Sequence, residues 1–260
     1  MFVTLFSDLH LEFDKEDKRF HPGEGDVLIL AGDICTAADI NKLNPHGRIY
    51  RAFFDECVKN YNKVFYVMGN HEHYGYNFTY TAEKLRQNLP ESVTLLDKQS
   101  VKYNGWNFMG ASLWTNFAGG NPLAMQLAQT SMNDYKTIRY GSQYRKLLPT
   151  DILREFSQTL YWMEGALLEA EGPVFMITHH QPSYQSLDTS YRGSPLNPCY
   201  ASELSNLIIA HPQIKFWAAG HTHVSLDYPI EQCRVLANTR GYEGYDLNPD
   251  FNRAFKVELT

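Results

Sequence analysis

The chain has 260 residues, 43% of them hydrophobic and 20% charged, with a formal net charge of −6. That composition excludes a disordered or low-complexity protein, and the acidic balance argues against a broad basic surface for duplex nucleic acid. Four cysteines (Cys35, Cys57, Cys199, Cys233) without Cys-x-x-Cys spacing argue against a zinc ribbon or a disulfide framework.

In chain order, Phe2–Phe6 is a short β-rich run followed by Asp8-Leu9-His10. If the extended backbone persists, Asp8 and His10 point the same way. A strand pattern starting at Phe2 leaves no room for a signal peptide. No apolar run approaches the ~20 residues of a membrane span, so a cytoplasmic protein without a membrane partner is expected. Asp26–Ala31 is a nearly continuous aliphatic run, as for a strand buried on both faces, and ends in Gly32-Asp33. Arg48–Tyr61 carries a helix-period stripe. Val64–Met68 is a third strand, ending in Gly69-Asn70-His71-Glu72, where Glu72 is expected to orient the turn. A second helix is expected over Thr79–Asn88, and short strands over Val93–Leu96 and Trp106–Leu113.

Thr115–Tyr144 has no sustained period and reads as loops with a short helix over the site edge. Pro149 opens a helix through about Glu171, with Gly172 beyond its end. Val174–Thr178 is a buried strand ending in His179-His180, and Gln181–Pro198 is a Pro/Ser/Tyr loop. Ala201–Ala210 reads as a helix, Ile214–Ala219 as a strand ending in Gly220-His221-Thr222-His223, and Ala254–Leu259 as a closing strand. No fixed-period repeat or linker divides the chain, so one domain over residues 1–260 is expected, with 115–150 and 181–198 as cap segments.

Five polar clusters thus follow five strand-like runs: Asp8/His10, Asp33, Asn70/His71, His179/His180 and His221/His223. In open α/β sheets the carboxyl ends of the strands form the ligand-binding edge, so one shared site is the economical explanation. A nitrogen/oxygen donor set without thiolate suits Zn, Mn, Fe, Co or Ni rather than Ca or Mg. The donors are too many for one four-coordinate ion, whereas two ions sharing a carboxylate would use them all. Such pairs clamp the attacking and leaving oxygens of a displacement at phosphorus.

Asp-x-His, Gly-Asp, Gly-Asn-His-Glu, His-His and Gly-His-Thr-His, in this order from Asp8 to His223, resemble the motifs of the calcineurin-like metallophosphoesterase superfamily. The resemblance implies a layered α/β fold, a four-layer αββα sandwich of two mixed β-sheets face to face with flanking helices. A dinuclear metal site would lie at the carboxyl edge of the strands. It implies that Asp8, His10 and His223 hold one divalent transition-metal ion, that Asn70, His179 and His221 hold the other, and that Asp33 bridges them. His179 is taken over His180 because the family uses the first His after the strand. His71 is implied as the catalytic, non-ligand histidine that protonates the leaving oxygen, with a metal-bridging hydroxide as nucleophile.

The substrate class is narrowed only in part. Gly32-Asp33 continues as Ile34-Cys35-Thr36-Ala37, unlike the Val-Asp-Arg-Gly of protein phosphatases and diadenosine tetraphosphatases in this superfamily. His179-His180-Gln181-Pro182 is similar to the His-His-Pro turn of its cyclic-nucleotide phosphodiesterases, with Gln181 interrupting it. A small phosphate ester is the expected partner, and extended nucleic acid is not. A cyclic-nucleotide-type phosphodiesterase or a nuclease on the same fold, a non-catalytic metal-binding interaction module and a hydrolase of another bond are the alternatives. Tyr74, Trp114, Asn133, Arg139, Tyr191 and Arg192 lie in expected site-edge loops and are candidates to stack on a base or grip a phosphate.

Overall fold

Aliphatic runs alternating with helix-period segments wind into parallel strands with helices outside. The computed structural model describes residues 1–260. Its first elements are β1 (Phe2–Phe6), β2 (Gly25–Ala31), α1 (Pro45–Asn60), β3 (Tyr61–Val67), α2 (Phe78–Asn88), β4 (Val93–Leu95), β5 (Gln99–Tyr103) and β6 (Trp106–Gly110). Next come α3 (Phe117–Gly120), α4 (Pro122–Ser131), α5 (Asp134–Thr137), β7 (Arg139–Tyr140), β8 (Arg145–Lys146), α6 (Pro149–Glu169) and β9 (Val174–Ile177). The last are α7 (Ser205–Ala210), β10 (Ile214–Ala218), β11 (Leu226–Ile230), β12 (Cys233–Ala237), β13 (Gly241–Tyr242), β14 (Asp246–Leu247) and β15 (Lys256–Glu258).

One sheet has the order β15-β1-β2-β3-β4, with β1 to β4 parallel and β15 antiparallel at the edge. The other has the order β11-β12-β10-β9-β6-β5, with β12, β10, β9 and β6 parallel and both edge strands antiparallel. The sheets pack face to face. Val3, Leu5, Ile29, Phe65 and Val67 meet Phe108, Phe175, Ile177, Ala218 and Leu236 in one buried cluster, with Phe65 stacked on Phe108 at 4.4 Å between ring centroids. Alternate residues point outward, and Phe6, Leu28, Leu30 and Tyr66 bury against Ile49, Tyr50, Phe53 and Phe54 of α1. Met109, Met176, Trp217 and Val235 bury against Phe156, Met163 and Leu167 of α6. The layered fold expected from the motifs, two mixed sheets with flanking helices, is the fold observed.

The segment 115–144 differs from the expectation of loops and a short helix. It folds as α3, α4, α5 and the start of a β7–β8 hairpin around a buried cluster that includes Trp114, Phe117, Ala128, Tyr135 and Ile138. The only buried residues of α4 are Ala124 and Ala128. Two alanines four residues apart pack a helix closely without producing a hydrophobic stripe. Strand β5 was not anticipated because its pattern is mostly polar and half exposed. The Asn104-Gly105 turn that joins it to β6 has φ of 48° and 83°, the hairpin geometry that this dipeptide favours.

Candidate metal centre

The turns after β1, β2 and β3 of one sheet and after β9 and β10 of the other meet at one edge. Asp8, His10, Asp33, Asn70 and His179 are buried there, and His221 and His223 are half-buried. The backbone does not continue extended past β1, so the alternation argument for Asp8 and His10 fails. Both residues, with Asp33, His221 and His223, adopt the left-handed conformation, with φ of 52°, 46°, 54°, 71° and 53° in the order Asp8, His10, Asp33, His221, His223. For non-glycine residues each such conformation costs on the order of 1–2 kcal/mol.

Hydrogen bonds between the turns hold them there. Asp8 N–H donates to Gly32 O (3.0 Å), His10 N–H to Asp33 O (2.9 Å) and Gly220 N–H to His179 O (2.8 Å). His221 N–H donates to the Asp8 carboxylate at 3.0 Å, and His71 N–H to Asp33 Oδ1 at 2.8 Å. Gly32, at φ 86°, and Gly69 leave no room for a side chain, since a Cβ would land on the His179 ring or on the Asp33 carboxylate respectively.

The donors gather in three overlapping groups: Asp8 with His10 and His223, His10 with Asp33 and His71, and Asp33 with His179 and His221. Asp33 Oδ2 lies 3.7 Å from His10 Nε2 and 3.3 Å from His179 Nε2. His179 Nδ1 donates to Ala31 O at 2.9 Å. Its Nε2 is therefore the atom turned towards Asn70 Oδ1, at 3.1 Å. His10 Nδ1 likewise donates to Glu12 at 3.2 Å and turns its Nε2 to His223 Nε2 at 3.1 Å.

Lone pairs brought together at these distances call for positive charge between them. Burial opposes a charge on His179, yet the Asp33 and Asp8 carboxylates lift its pKa to about 10. A divalent cation answers the same field, and this donor set fits one. His180 lies outside these groups. Its ring packs on Trp114 at 4.9 Å, and burial holds its pKa well below the ordinary value.

Three carboxylates that sequence reasoning left without a chemical role organise this centre. Glu12 joins the two histidines, accepting from His10 Nδ1 (3.2 Å) and His71 Nδ1 (2.8 Å). Against the effect of burial, these two bonds pull its pKa down to about 2. Burial also disfavours a charge on His71, but Asp33 and Glu12 lift its pKa to about 9. Glu72 is buried and accepts from the N–H groups of Asp33 (3.0 Å), Ile34 (2.7 Å) and Gly69 (2.6 Å) and from Tyr66 Oη (2.6 Å). It therefore splints the turn that carries Asp33 to the turn that carries Asn70, rather than orienting only its own.

Asp134 of α5 accepts from Asn70 Nδ2 at 2.9 Å and from Tyr74 Oη at 3.0 Å. It thereby turns the Asn70 amide so that Oδ1 faces His179. Only Glu72 lay within a recognised motif, and no sequence pattern pointed to Asp134 or Glu12.

A cleft of about 880 Å³ opens over the centre, within the range of small-molecule sites. Its floor carries Asn70, His71, His221 and His223, and its walls come from 131–134, 187–197 and 242–246. Of the candidate contacts, Tyr74, Asn133 and Tyr191 line this cleft, whereas Trp114, Arg139 and Arg192 do not. Trp114 is buried behind it, and Arg139 is half-buried in the β7–β8 hairpin. No helix is long and apolar enough to cross a membrane.

In fold, the chain is similar to the phosphopantetheinyl hydrolase of Mycobacterium tuberculosis, at 14% identity and a TM-score of 0.65 over 92% of this chain and 89% of that one. It is also similar to a protein of Thermus thermophilus, at 12% identity and a TM-score of 0.50 over 92% and 88%. In sequence it is 25% identical to an uncharacterized protein of Acanthamoeba polyphaga mimivirus, over 95% of this chain and 94% of that protein. Residues 1–225 match the calcineurin-like phosphoesterases. That match covers most of the chain and all the clustered donors, and the chain belongs to this family of metal-dependent hydrolases of phosphoester bonds.

Proposed function

We propose that this chain hydrolyses a small phosphate ester, a monoester or a diester, with two divalent transition-metal ions in the centre described above. Asp8, His10 and His223 would hold one ion, Asn70, His179 and His221 the other, and Asp33 would serve both. The single observation that carries this reading is the position of Asp33 Oδ2 between His10 Nε2 and His179 Nε2, at 3.7 and 3.3 Å. When bound, such ions neutralise phosphoryl charge and acidify water.

The chain's own groups supply the rest. His71 gives a proton to the departing oxygen, as a general acid must for a poor leaving group. Its Nδ1 is occupied by Glu12, so Nε2 is the atom left to face the cleft, near Tyr242 Oη at 3.5 Å. Glu12 fixes the ring and favours its charged form. Glu72 and the Asp134–Asn70 pair hold the ligand turns in place before any substrate arrives.

The test is an assay of manganese-, zinc- and iron-loaded protein against phosphomonoesters, phosphodiesters and nucleotides. The panel includes a phosphopantetheinyl ester, because the Mycobacterium tuberculosis protein that shares this fold is a phosphopantetheinyl hydrolase. Turnover that disappears with chelator and returns with metal is expected. No turnover of any ester by protein carrying two ions per chain would overturn the proposal. Metal analysis of Asp33→Asn is the companion measurement, and a fully loaded variant would overturn the shared-carboxylate assignment.

A further inference from the structure

Phosphate-rich ligands are recognised by lysine and arginine, whose charge offsets each additional phosphate and whose N–H groups match its oxygens. The cleft over the metal centre contains neither residue among its lining. Its titratable side chains apart from the histidines and tyrosines are all carboxylates: Glu12, Asp33, Asp134, Asp188 and Asp246. Asp33 belongs to the centre, and Glu12 and Asp134 are occupied by His71, Asn70 and Tyr74. Asp188 and Asp246 are exposed on separate wall segments of the cleft. Hence positive charge for a substrate is available only at the floor, where the ions and His71 lie.

Above the floor the cleft is aromatic. Tyr242 stands 4.3 Å from the His10 ring and 4.6 Å from the His223 ring, between centroids. Phe13 packs edge-on against Tyr242 at 5.1 Å and against Tyr245 at 5.6 Å. These rings form a path from the centre to the rim, ending at Tyr245, which is 82% exposed. On another wall, Tyr200 lies 5.1 Å from the His221 ring and Tyr191 is 65% exposed. Large exposed aromatic faces beside carboxylates favour apolar and cationic groups and repel anions.

We infer that the substrate carries a single phosphate, seated at the floor, and that the rest of it is an organic group without negative charge, uncharged or bearing an ammonium, lying along the Tyr242–Phe13–Tyr245 path. Polyphosphates, nucleoside triphosphates and polynucleotides are disfavoured by the same surface. This inference rests on the phosphoesterase reading for the place of the phosphate, while the character of the walls stands independently of it.

Three phosphate esters that differ only in the arm test the inference: trimethylammonioethyl, dimethylbutyl and sulfoethyl. Each is offered as its monoester and as its methyl diester to metal-loaded protein, in competition with whichever of p-nitrophenyl phosphate or bis-p-nitrophenyl phosphate is turned over. The ammonium and alkyl arms are expected to compete at least roughly tenfold better than the sulfonate arm, and the gap between ammonium and sulfonate should narrow as salt rises. A sulfonate arm that competes equally well or better would overturn the inference and leave the phosphoesterase reading intact. No turnover of either chromogenic ester or of any of the six arm-bearing esters, by protein carrying two ions per chain, would overturn that reading instead.

Binding of benzyltrimethylammonium to the metal-free chain, followed by tyrosine fluorescence, addresses the walls without activity. It is expected to weaken about threefold or more in the double variant Asp188→Asn, Asp246→Asn. An unchanged affinity would overturn the assignment of these carboxylates to the rim.

Discussion

At the residue scale, His71 is the proposed acid and Glu12 is the carboxylate that holds its Nδ1 at 2.8 Å. His71→Ala is expected to keep its metal content and to lose about 100-fold or more in turnover of an alkyl phosphate. The loss should be much smaller for p-nitrophenyl phosphate, whose leaving group needs no proton. Equal losses on the two esters would remove His71 from the acid role.

Glu12→Gln takes away a carboxylate that favours the imidazolium. The pKa of His71 then falls, and the alkaline limb of the alkyl-phosphate rate profile should move to lower pH. An alkaline limb that stays in place would show that Glu12 acts only on His10. His71 was readable as a candidate because it sits in Gly-Asn-His-Glu. Glu12 was not, since it reaches His71 across 59 positions of sequence and no local pattern marks such a pair.

At the element scale, the short helix α5 reaches over the edge of the sheets to hold Asn70, a proposed metal ligand, through Asp134. Asp134→Ala removes the acceptor that orients the Asn70 amide. Affinity for the ion assigned to Asn70, His179 and His221 is expected to fall roughly 10–100-fold, with the ion at Asp8, His10 and His223 little affected. A titration showing two unchanged steps would make Asp134 merely structural.

The β5–β6 hairpin offers a stability test away from the centre. Gly105→Val places a β-branched residue at φ 83° and should cost about 1–2 kcal/mol in urea unfolding. Most helices and strands of the two sheets stood out by their periodicity. Strand β5 and the helices of 115–144 did not, because a half-exposed strand and a helix packed through alanine both lack strong contrast between faces.

At the scale of the whole molecule, two sheets deliver five turns to one edge, three of them through left-handed residues, each with a carboxylate, amide or imidazole aimed at its neighbours. Such an edge is strained and carries unsatisfied charge until cations enter. Removing metal with chelator is therefore expected to lower the melting temperature by roughly 5–10 °C at saturating metal, since ligation at 100 times Kd contributes about 2.7 kcal/mol. Equal melting temperatures with and without metal, at full loading, would mean that the turns are held by protein contacts alone.

The sequence by itself determined the inventory: apolar runs that must be buried, the donors that follow them, and motif spacings that resemble one superfamily. The tertiary structure places His179, the histidine implied by the resemblance, beside Asp33, and it alone decided that Asp8 and His10 converge through left-handed turns and that the cleft walls bear carboxylates and tyrosines without a lysine or arginine. The physical reason is range. Periodicity and turn chemistry act over a few residues, whereas partners such as Asp134 and Asn70, 64 positions apart, meet only when the layers pack.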